Sequence, residues 1–342
     1  MNRLIILVHF FSFCSIAQLE VYSSFPSILN ETSGLEYSCG SIFSHNDSGD
    51  TTRVFRMNSS GVLEEEIYLV GAKHLDWEDL AFNSKHQLLY VGDLGSNNYL
   101  FERPERVLYK LGLSSSYEVE NKISFEFEDY TEFEDHSNFD CEAFIYLNDK
   151  IYLFTKNHGS SGYSKIYELL PETGNQTARL IDSLYTKNAV TAADSYLNQV
   201  ALLTEFEVFL LHYENGQFSF SSTHGIPHRQ YEGICYLDKN QLLISSENSG
   251  NQLFSLTINS ADFDPEHIYV PTEDQVAIDI PEELGQVNKI CLYSSNGQMV
   301  KDLETGHCET DVLLNVSDLA SGAYIVLLQG TTGTESKRIV IP

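Results

Sequence analysis

Glu78-Asp79-Leu80-Ala81-Phe82, then Leu88-Leu89-Tyr90-Val91-Gly92-Asp93, then Arg106-Val107-Leu108-Tyr109-Lys110 is the stretch that decides the fold of this chain. An acidic opening leads into a short apolar strand, a polar turn, a stronger apolar strand that ends in Asp, and a third strand rich in Tyr and Leu. Short apolar runs of this kind, bounded by turn residues, read as strands. The same order of events recurs on both sides. Upstream stand Ser33-Gly34-Leu35-Glu36-Tyr37, Ser41-Ile42-Phe43-Ser44-His45-Asn46-Asp47 and Arg53-Val54-Phe55-Arg56-Met57. Downstream come Glu142-Ala143-Phe144-Ile145, Ile151-Tyr152-Leu153-Phe154-Thr155-Lys156-Asn157 and Lys165-Ile166-Tyr167-Glu168-Leu169. A degenerate copy follows at Ala192-Ala193-Asp194, Val200–Glu205 and Val208–Leu211, and a clear one at Glu232–Tyr236, Leu242–Asn248 and Leu253–Leu256.

The openings fall at Gly34, Asp79, Ala143, Ala193 and Gly233, separated by 45, 64, 50 and 40 residues. That is the period of a four-stranded propeller blade. Fourth strands are expected around Glu66–Leu69, Ile123–Glu126, Arg179–Ile181 and Phe218–Phe220. For the last repeat the fourth strand is either Leu19–Phe25, which closes a five-bladed β-propeller, or Glu266–Val270, which leaves room for a sixth blade. A plain β-sandwich is the competing all-β reading, because Gly-punctuated strands would suit it too.

Composition bounds the function. The chain has 342 residues with 20 Lys+Arg against 49 Asp+Glu, a net charge of −29. Nucleic acid is excluded as a partner, since phosphate backbones are held by clustered basic residues. No internal apolar run approaches the roughly eighteen residues of a membrane span, so no span is expected in the mature protein. Met1-Asn2-Arg3, the apolar run to Ile16 and the small residues Ser15 and Ala17 read as a cleaved signal peptide over residues 1–17. The wide spacing of Cys39, Cys141, Cys235, Cys291 and Cys308 writes no disulfide framework and no zinc site. Only Cys291 and Cys308 lie close enough in sequence to suggest a pair.

In a propeller the innermost strand begins, and its antiparallel neighbour ends, on the same face. Residues at those places therefore converge on one mouth of the central channel. They are Glu31 and Ser33 with Asn46 and Asp47; Asp76, Glu78 and Asp79 with Asp93; Asp140 and Glu142 with Lys156 and Asn157; Glu205; and Glu232 with Glu247 and Asn248. So many carboxylates in one funnel need raised pKa values or a bound cation. Oxygen-only donors suit a hard ion, and Ca²⁺ is the expected cofactor, held by Asp47, Glu78, Asp93, Glu142, Glu232 and Glu247. Trp77, Lys156, Asn157 and Asn248 are candidate walls of a ligand pocket. His45 and His158 are candidate proton carriers.

The segments Glu31–Leu35, His45–Gly49, Asp76–Asp79, Gly92–Asn98, Asn138–Ala143 and Phe154–Asn157 resemble a family of secreted propeller proteins common in Bacteroidetes, over roughly residues 20–260. The resemblance implies no particular activity. By fold that family is similar to calcium-dependent phytase-like and lactonase-like propeller hydrolases. The fourth repeat, Ala192-Ala193-Asp194, departs from the acidic opening.

After Pro271 the pattern changes to alternating strands with Asn-Gly and Ser-Gly turns: Lys289–Tyr293, Leu313–Leu319, Ser321–Leu327 and Ser336–Ile341. These predict a small C-terminal β-sandwich. The segment resembles the C-terminal sorting domain of the type IX secretion system, although Val270-Pro271-Thr272 stands where that family has Asn-Pro. The repeats give a propeller domain over 18–270, and the resemblance implies a sorting domain over 271–342 that engages the secretion machinery and a place outside the cell. Three functions follow as expectations. The first is a calcium-binding propeller that meets an extracellular small molecule or glycan. The second is a metal-dependent hydrolase of a phosphoester or lactone, and the third is a non-catalytic surface scaffold. No P-loop, nucleophile elbow or HExxH selects among chemistries.

Overall fold

The computed structural model describes residues 19–47, 49–96, 106–113, 119–130, 139–157, 162–247, 251–258, 275–278, 284, 286–294, 298–308, 312–316, 318–320 and 322–341. The expected signal peptide lies outside them. β1 (Leu19–Ser24) precedes the repeats, and each repeat folds as one antiparallel unit in chain order. The first unit is β2 (Thr32–Ser38), β3 (Ser41–Asn46), β4 (Arg53–Asn58) and β5 (Leu63–Tyr68). The second is β6 (Trp77–Asn83), β7 (Leu88–Asp93), β8 (Arg106–Gly112) and β9 (Val119–Phe127). The third is β10 (Cys141–Leu147), β11 (Lys150–Thr155), β12 (Tyr163–Leu169) and β13 (Gly174–Tyr185). The fourth is β14 (Val190–Tyr196), β15 (Gln199–Thr204), β16 (Glu207–Glu214) and β17 (Gln217–Gly225). The fifth has β18 (Tyr231–Asp238), β19 (Gln241–Ser246) and β20 (Gln252–Thr257), and its fourth place is taken by β1.

The first strands of the units touch in order, β2 to β6, β10, β14 and β18, and β18 returns to β2. They close a ring, so the arrangement is all-β and propeller-like. Burial follows the radius. In β6 and β10 nearly every residue is buried, whereas β17 and β1 are mostly exposed or half-exposed. This is why the first two strands of each repeat read as almost continuous apolar runs while the fourth strands are polar and hard to see. The second and third units also join at their outer edges, where β9 and β13 pair in parallel over Ile123–Phe127 and Gly174–Ala178. The alternative fourth strand at Glu266–Val270 lies outside the described residues.

The C-terminal strands are β21 (Gln275–Ile278), β22 (Val287–Ser294), β23 (Met299–Cys308), β24 (Val312–Asn315), β25 (Gly322–Gly330) and β26 (Thr334–Ile341). They make a two-stranded sheet, β21-β24, and a four-stranded sheet in the order β23-β22-β25-β26. Leu314 of the smaller sheet shares one core with Ile290 and Leu292 of β22 and with Val326 and Leu328 of β25. Cys291 is a free thiol facing Asp302, and the strand register sets Cys308 opposite Val287. The suggested Cys291–Cys308 pair is therefore not formed. Among the described residues no helix is long and apolar enough to cross a membrane.

Candidate functional site

On every inner strand the pairing with the second strand slips by one residue near the strand start. The slips fall between Ser33 and Leu35, Trp77 and Asp79, Cys141 and Ala143, Val190 and Ala192, and Tyr231 and Gly233. A β-bulge interrupts the alternation of side chains and re-aims the extra residue. The extra residues are Gly34, Glu78, Glu142, Thr191 and Glu232. Three of the five are glutamates, placed at one level of the ring. Gly34 has φ +56° and no room for a side chain, since a Cβ there would stand 2.5 Å from His45 Nε2.

Carboxylate oxygens of Asp47, Asp76 and Glu78 lie within 4.8 Å of one another. Main-chain hydrogen bonds fix the two segments that carry them. The Asp47 N–H donates to Glu31 O at 2.9 Å, and Asp47 O accepts from Trp77 N–H at 3.2 Å. The Asp76 N–H donates to Asp93 Oδ1 at 3.0 Å, while Asp76 O accepts from the N–H groups of Leu94 and Gly95. Gly95 lies so close that a Cβ on it would stand 1.7 Å from Glu78 Oε1 and 2.6 Å from Asp76 Oδ2. Glu78 is 4% exposed, and its Oε1, like Asp47 Oδ1, is buried without a hydrogen-bond partner.

Such oxygens are costly to bury as anions. Burial, and then the charges of Glu142, Asp76, Asp47 and Asp140, push the Glu78 carboxyl well above the ordinary range. Asp47 is raised to about 8 by burial, by Asp76 and by Glu247. Three oxygen donors with two buried unpartnered oxygens fit a hard divalent cation, which would displace protons from the carboxyls.

The adjoining third unit supplies a cation. Lys156 Nζ hydrogen-bonds and ion-pairs with Glu142 Oε1, whose side chain is 2% exposed. Burial raises Glu142, an effect that Lys156 opposes and that Asp140 and Glu232 add to. Glu232 is raised to about 7 by burial, against the pull of Lys156. Burial and Glu31 raise Glu247, which accepts a hydrogen bond from Gln230 Nε2. Asp140 Oδ1 accepts from Ser96 N–H at 2.8 Å, tying the segment after β7 to the start of β10.

The structure brings some of the expected acids together and gives others different partners. Of the six expected ion ligands, Asp47 and Glu78 sit in the close cluster, and Asp76 joins them in place of Asp93. Asp93 instead orients Asp76 by accepting its N–H. Glu142 is paired with Lys156, and Glu232 and Glu247 stay outside the close cluster. Trp77 is no pocket wall: it is fully buried, donates Nε1–H to Lys73 O at 2.8 Å, and packs against His45, His74 and Tyr109. His45 is likewise fully buried beside Trp77, and burial lowers its pKa to about 3, so it is a neutral core imidazole instead of a proton carrier on the rim. Asn157 is buried at φ +61°, a left-handed turn position that suits Asn. His158 and Asn248 lie outside the described residues.

Asp79, expected at the mouth, points elsewhere. Its Oδ1 accepts from Leu80 N–H at 2.9 Å, and its Oδ2 accepts from Phe144 N–H at 3.1 Å and Ala193 N–H at 3.2 Å. Asp194 Oδ2 similarly accepts from Tyr236 N–H at 2.7 Å. These carboxylates join inner strands of different units. Sequence reasoning missed Thr191, 3% exposed, whose Oγ1 is buried without a hydrogen-bond partner at the bulge of the non-acidic fourth repeat. Its only signal is its position one residue before Ala192, aligned with Glu142 and Glu232.

Comparison with known proteins locates the export signal. Residues 268–342 match the family described as a secretion system C-terminal sorting domain. The chain therefore carries a type IX secretion sorting domain, which engages that machinery and directs it to the cell surface or the extracellular space. No curated protein matches the chain. Among solved structures it is similar to PorZ, an essential bacterial surface component of the type IX secretion system of Porphyromonas gingivalis, at 11% identity and a TM-score of 0.32, covering 91% of this chain and 51% of that one. The chain thus spans about half the length of that protein. It is also similar to Myxococcus xanthus glutaminyl cyclase, at 12% identity and a TM-score of 0.43, over 70% of this chain and 95% of that one. A third similar structure is the β-propeller domain of Myceliophthora thermophila Cps50 (Swd1), at 10% identity and a TM-score of 0.38, over 94% and 99% of the two chains.

Proposed function

We propose that the repeats form a five-bladed β-propeller, closed by β1 and followed by a β-sandwich sorting domain, and that the propeller binds Ca²⁺ at one mouth through Asp47, Asp76 and Glu78. The observation that carries this reading is the pair of buried, unpartnered oxygens, Glu78 Oε1 and Asp47 Oδ1, within one cluster of oxygen donors. Protonation and a bound cation are the two ways to relieve such a cluster, and outside a cell calcium is abundant enough to compete with the proton. The ion would tie the β3–β4 turn to the start of β6 and rigidify the rim that meets an extracellular ligand.

The test is a calorimetric titration with Ca²⁺ of chelator-treated protein, paired with thermal melts. Wild type should take up about one ion and melt higher with it, by about 2.7 kcal/mol of stability at a hundredfold excess over Kd. Glu78→Gln should do neither. No heat and no thermal shift in the wild type would overturn the reading.

A metal-dependent hydrolase of a phosphoester or lactone is the second reading. One observation favours it: the Lys156 ammonium stands among the acids and could steer an anionic group toward the ion. Phosphoester and lactone turnover that appears with Ca²⁺ and vanishes with chelator would support it. A calcium-loaded protein inert toward both classes would be a binding propeller.

A further inference from the structure

The C-terminal sandwich carries a sheet face that its own strands leave open. Its two central strands read Ile290-Cys291-Leu292-Tyr293 in β22 and Tyr324-Ile325-Val326-Leu327-Leu328 in β25, apolar at consecutive positions. A sheet that turns one face to water alternates apolar with polar, and an unbroken apolar run belongs to a strand covered on both faces. Among the described residues only one face is covered. Ile290, Leu292, Tyr324, Val326 and Leu328 lie in the core shared with Leu314 of β24. The intervening residues share the other face. The register sets Tyr293 between Met299 of β23 and Ile325 of β25, and Cys291 between Asp302 and Leu327. Residues paired directly across antiparallel strands project to the same side. On that side Met299 is 48% exposed and Ile325 46% exposed, while Tyr293 and Leu327 are half-exposed. The Lys289–Asp302 ion pair, at 2.9 Å, borders them.

We propose that this open face, centred on Tyr293 and Ile325, is the surface by which the sorting domain docks on the type IX secretion machinery. The family match covers residues 268–342, so the task of engaging that machinery falls to this sandwich. The inner face of its four-stranded sheet is already taken by the core that includes Leu314 of the two-stranded sheet. The composition of the outer face suits a protein partner, because an apolar centre with a charged border is the anatomy of a protein–protein interface. The partner surface is accordingly apolar, with side chains that pack on Met299, Tyr293 and Ile325. Apolar side chains grouped in water on a rigid sheet are unfavourable for a lone soluble domain, and docking relieves that. The proposal is independent of the calcium reading, since it uses no residue of the propeller.

The experiment follows the full chain in a bacterium that has a type IX system and reads the fraction that reaches the outside. Ile325→Asp puts a charge at the centre of the face and should lower that fraction about tenfold, and Met299→Asp, at the margin, should lower it less. Phe220→Asp, at an exposed apolar position on β17 of the propeller, should leave it unchanged. Thermal melts of the purified chains should be alike. If the Asp variant does not fold, Ile325→Thr, which keeps a strand-forming side chain and removes its apolar tip, answers the same question. A photo-crosslinking amino acid at position 325 should join the chain to a type IX component identified by mass, and the same label at position 220 should not. Secretion of both Ile325→Asp and Met299→Asp at the wild-type level would overturn the inference. So would a chain that sediments as a dimer dissolved by Ile325→Asp, because the face would then belong to a second copy.

Discussion

Two groups of buried acids in the same ring behave in opposite ways. Asp79 and Asp194 are buried carboxylates whose oxygens accept main-chain N–H groups from neighbouring inner strands. Glu78, the residue before Asp79, is a buried carboxylate and Asp47 a half-buried one, each with a buried oxygen that accepts no hydrogen bond. Both groups have pKa values pushed upward, first by burial. The perturbed acidity alone therefore does not separate a structural carboxylate from a binding one. The hydrogen-bond inventory does, because an inner strand at a channel wall exposes N–H groups that need partners, and Asp79 supplies them.

The comparison can be broken most severely at Asp79. Asp79→Ala removes an acceptor for three main-chain donors on three inner strands, and should cost about 3 kcal/mol of stability in a denaturant melt, with or without Ca²⁺. A loss of calcium binding with unchanged stability would place Asp79 in the wrong group. Gly95→Ala should do the reverse. The added methyl meets the far ends of the Glu78 and Asp76 side chains, which can swing away, so the fold survives while Ca²⁺ affinity falls about a hundredfold, about 2.7 kcal/mol.

Glu78→Gln sharpens the contrast in the ion-free protein. Replacing an acid repelled by Glu142, Asp76, Asp47 and Asp140 with a neutral amide should leave stability unchanged or raise it by about 1 kcal/mol, read by the same denaturant melt in chelator. A loss of several kcal/mol would assign Glu78 a structural role like that of Asp79.

The remaining contrast is the pH dependence. Asp47, with its pKa raised from 3.8 to about 8, holds its proton more tightly folded than unfolded. Its contribution to stability is fully present below the unfolded value and is lost as pH rises through about 8. Glu232 acts in the same direction through about 7. Ion-free protein should therefore melt lower as pH rises from about 5 to about 8, and Ca²⁺ should remove most of that slope. A calcium effect that shrinks toward alkaline pH would contradict the proton–cation exchange.

The ring was largely legible in the sequence, and the site only in part. Inner strands such as Leu88–Asp93 are buried on both faces, so they stand out as apolar runs whatever their register. The closing strand was one of two candidates in the sequence: β1 pairs with β20, while Glu266–Val270 lies outside the described residues. The division of labour between Glu78 and Asp79 was not legible. Strict alternation would send adjacent residues to opposite faces, but a bulge at Glu78 suspends that rule, and a bulge leaves no mark in composition. The same device hides Thr191, whose repeat lacks the acidic signal. Trp77 and His45 were misplaced for a related reason: both sit at the mouth in sequence order, yet their side chains turn into the core between the first and second units.

The most direct test is crystallographic. Crystals grown with Mn²⁺ in place of Ca²⁺ should give one strong anomalous peak at the mouth, within about 2.5 Å of carboxylate oxygens of Asp47, Asp76 and Glu78. A mouth without a peak, or a peak away from these three residues, would contradict the account.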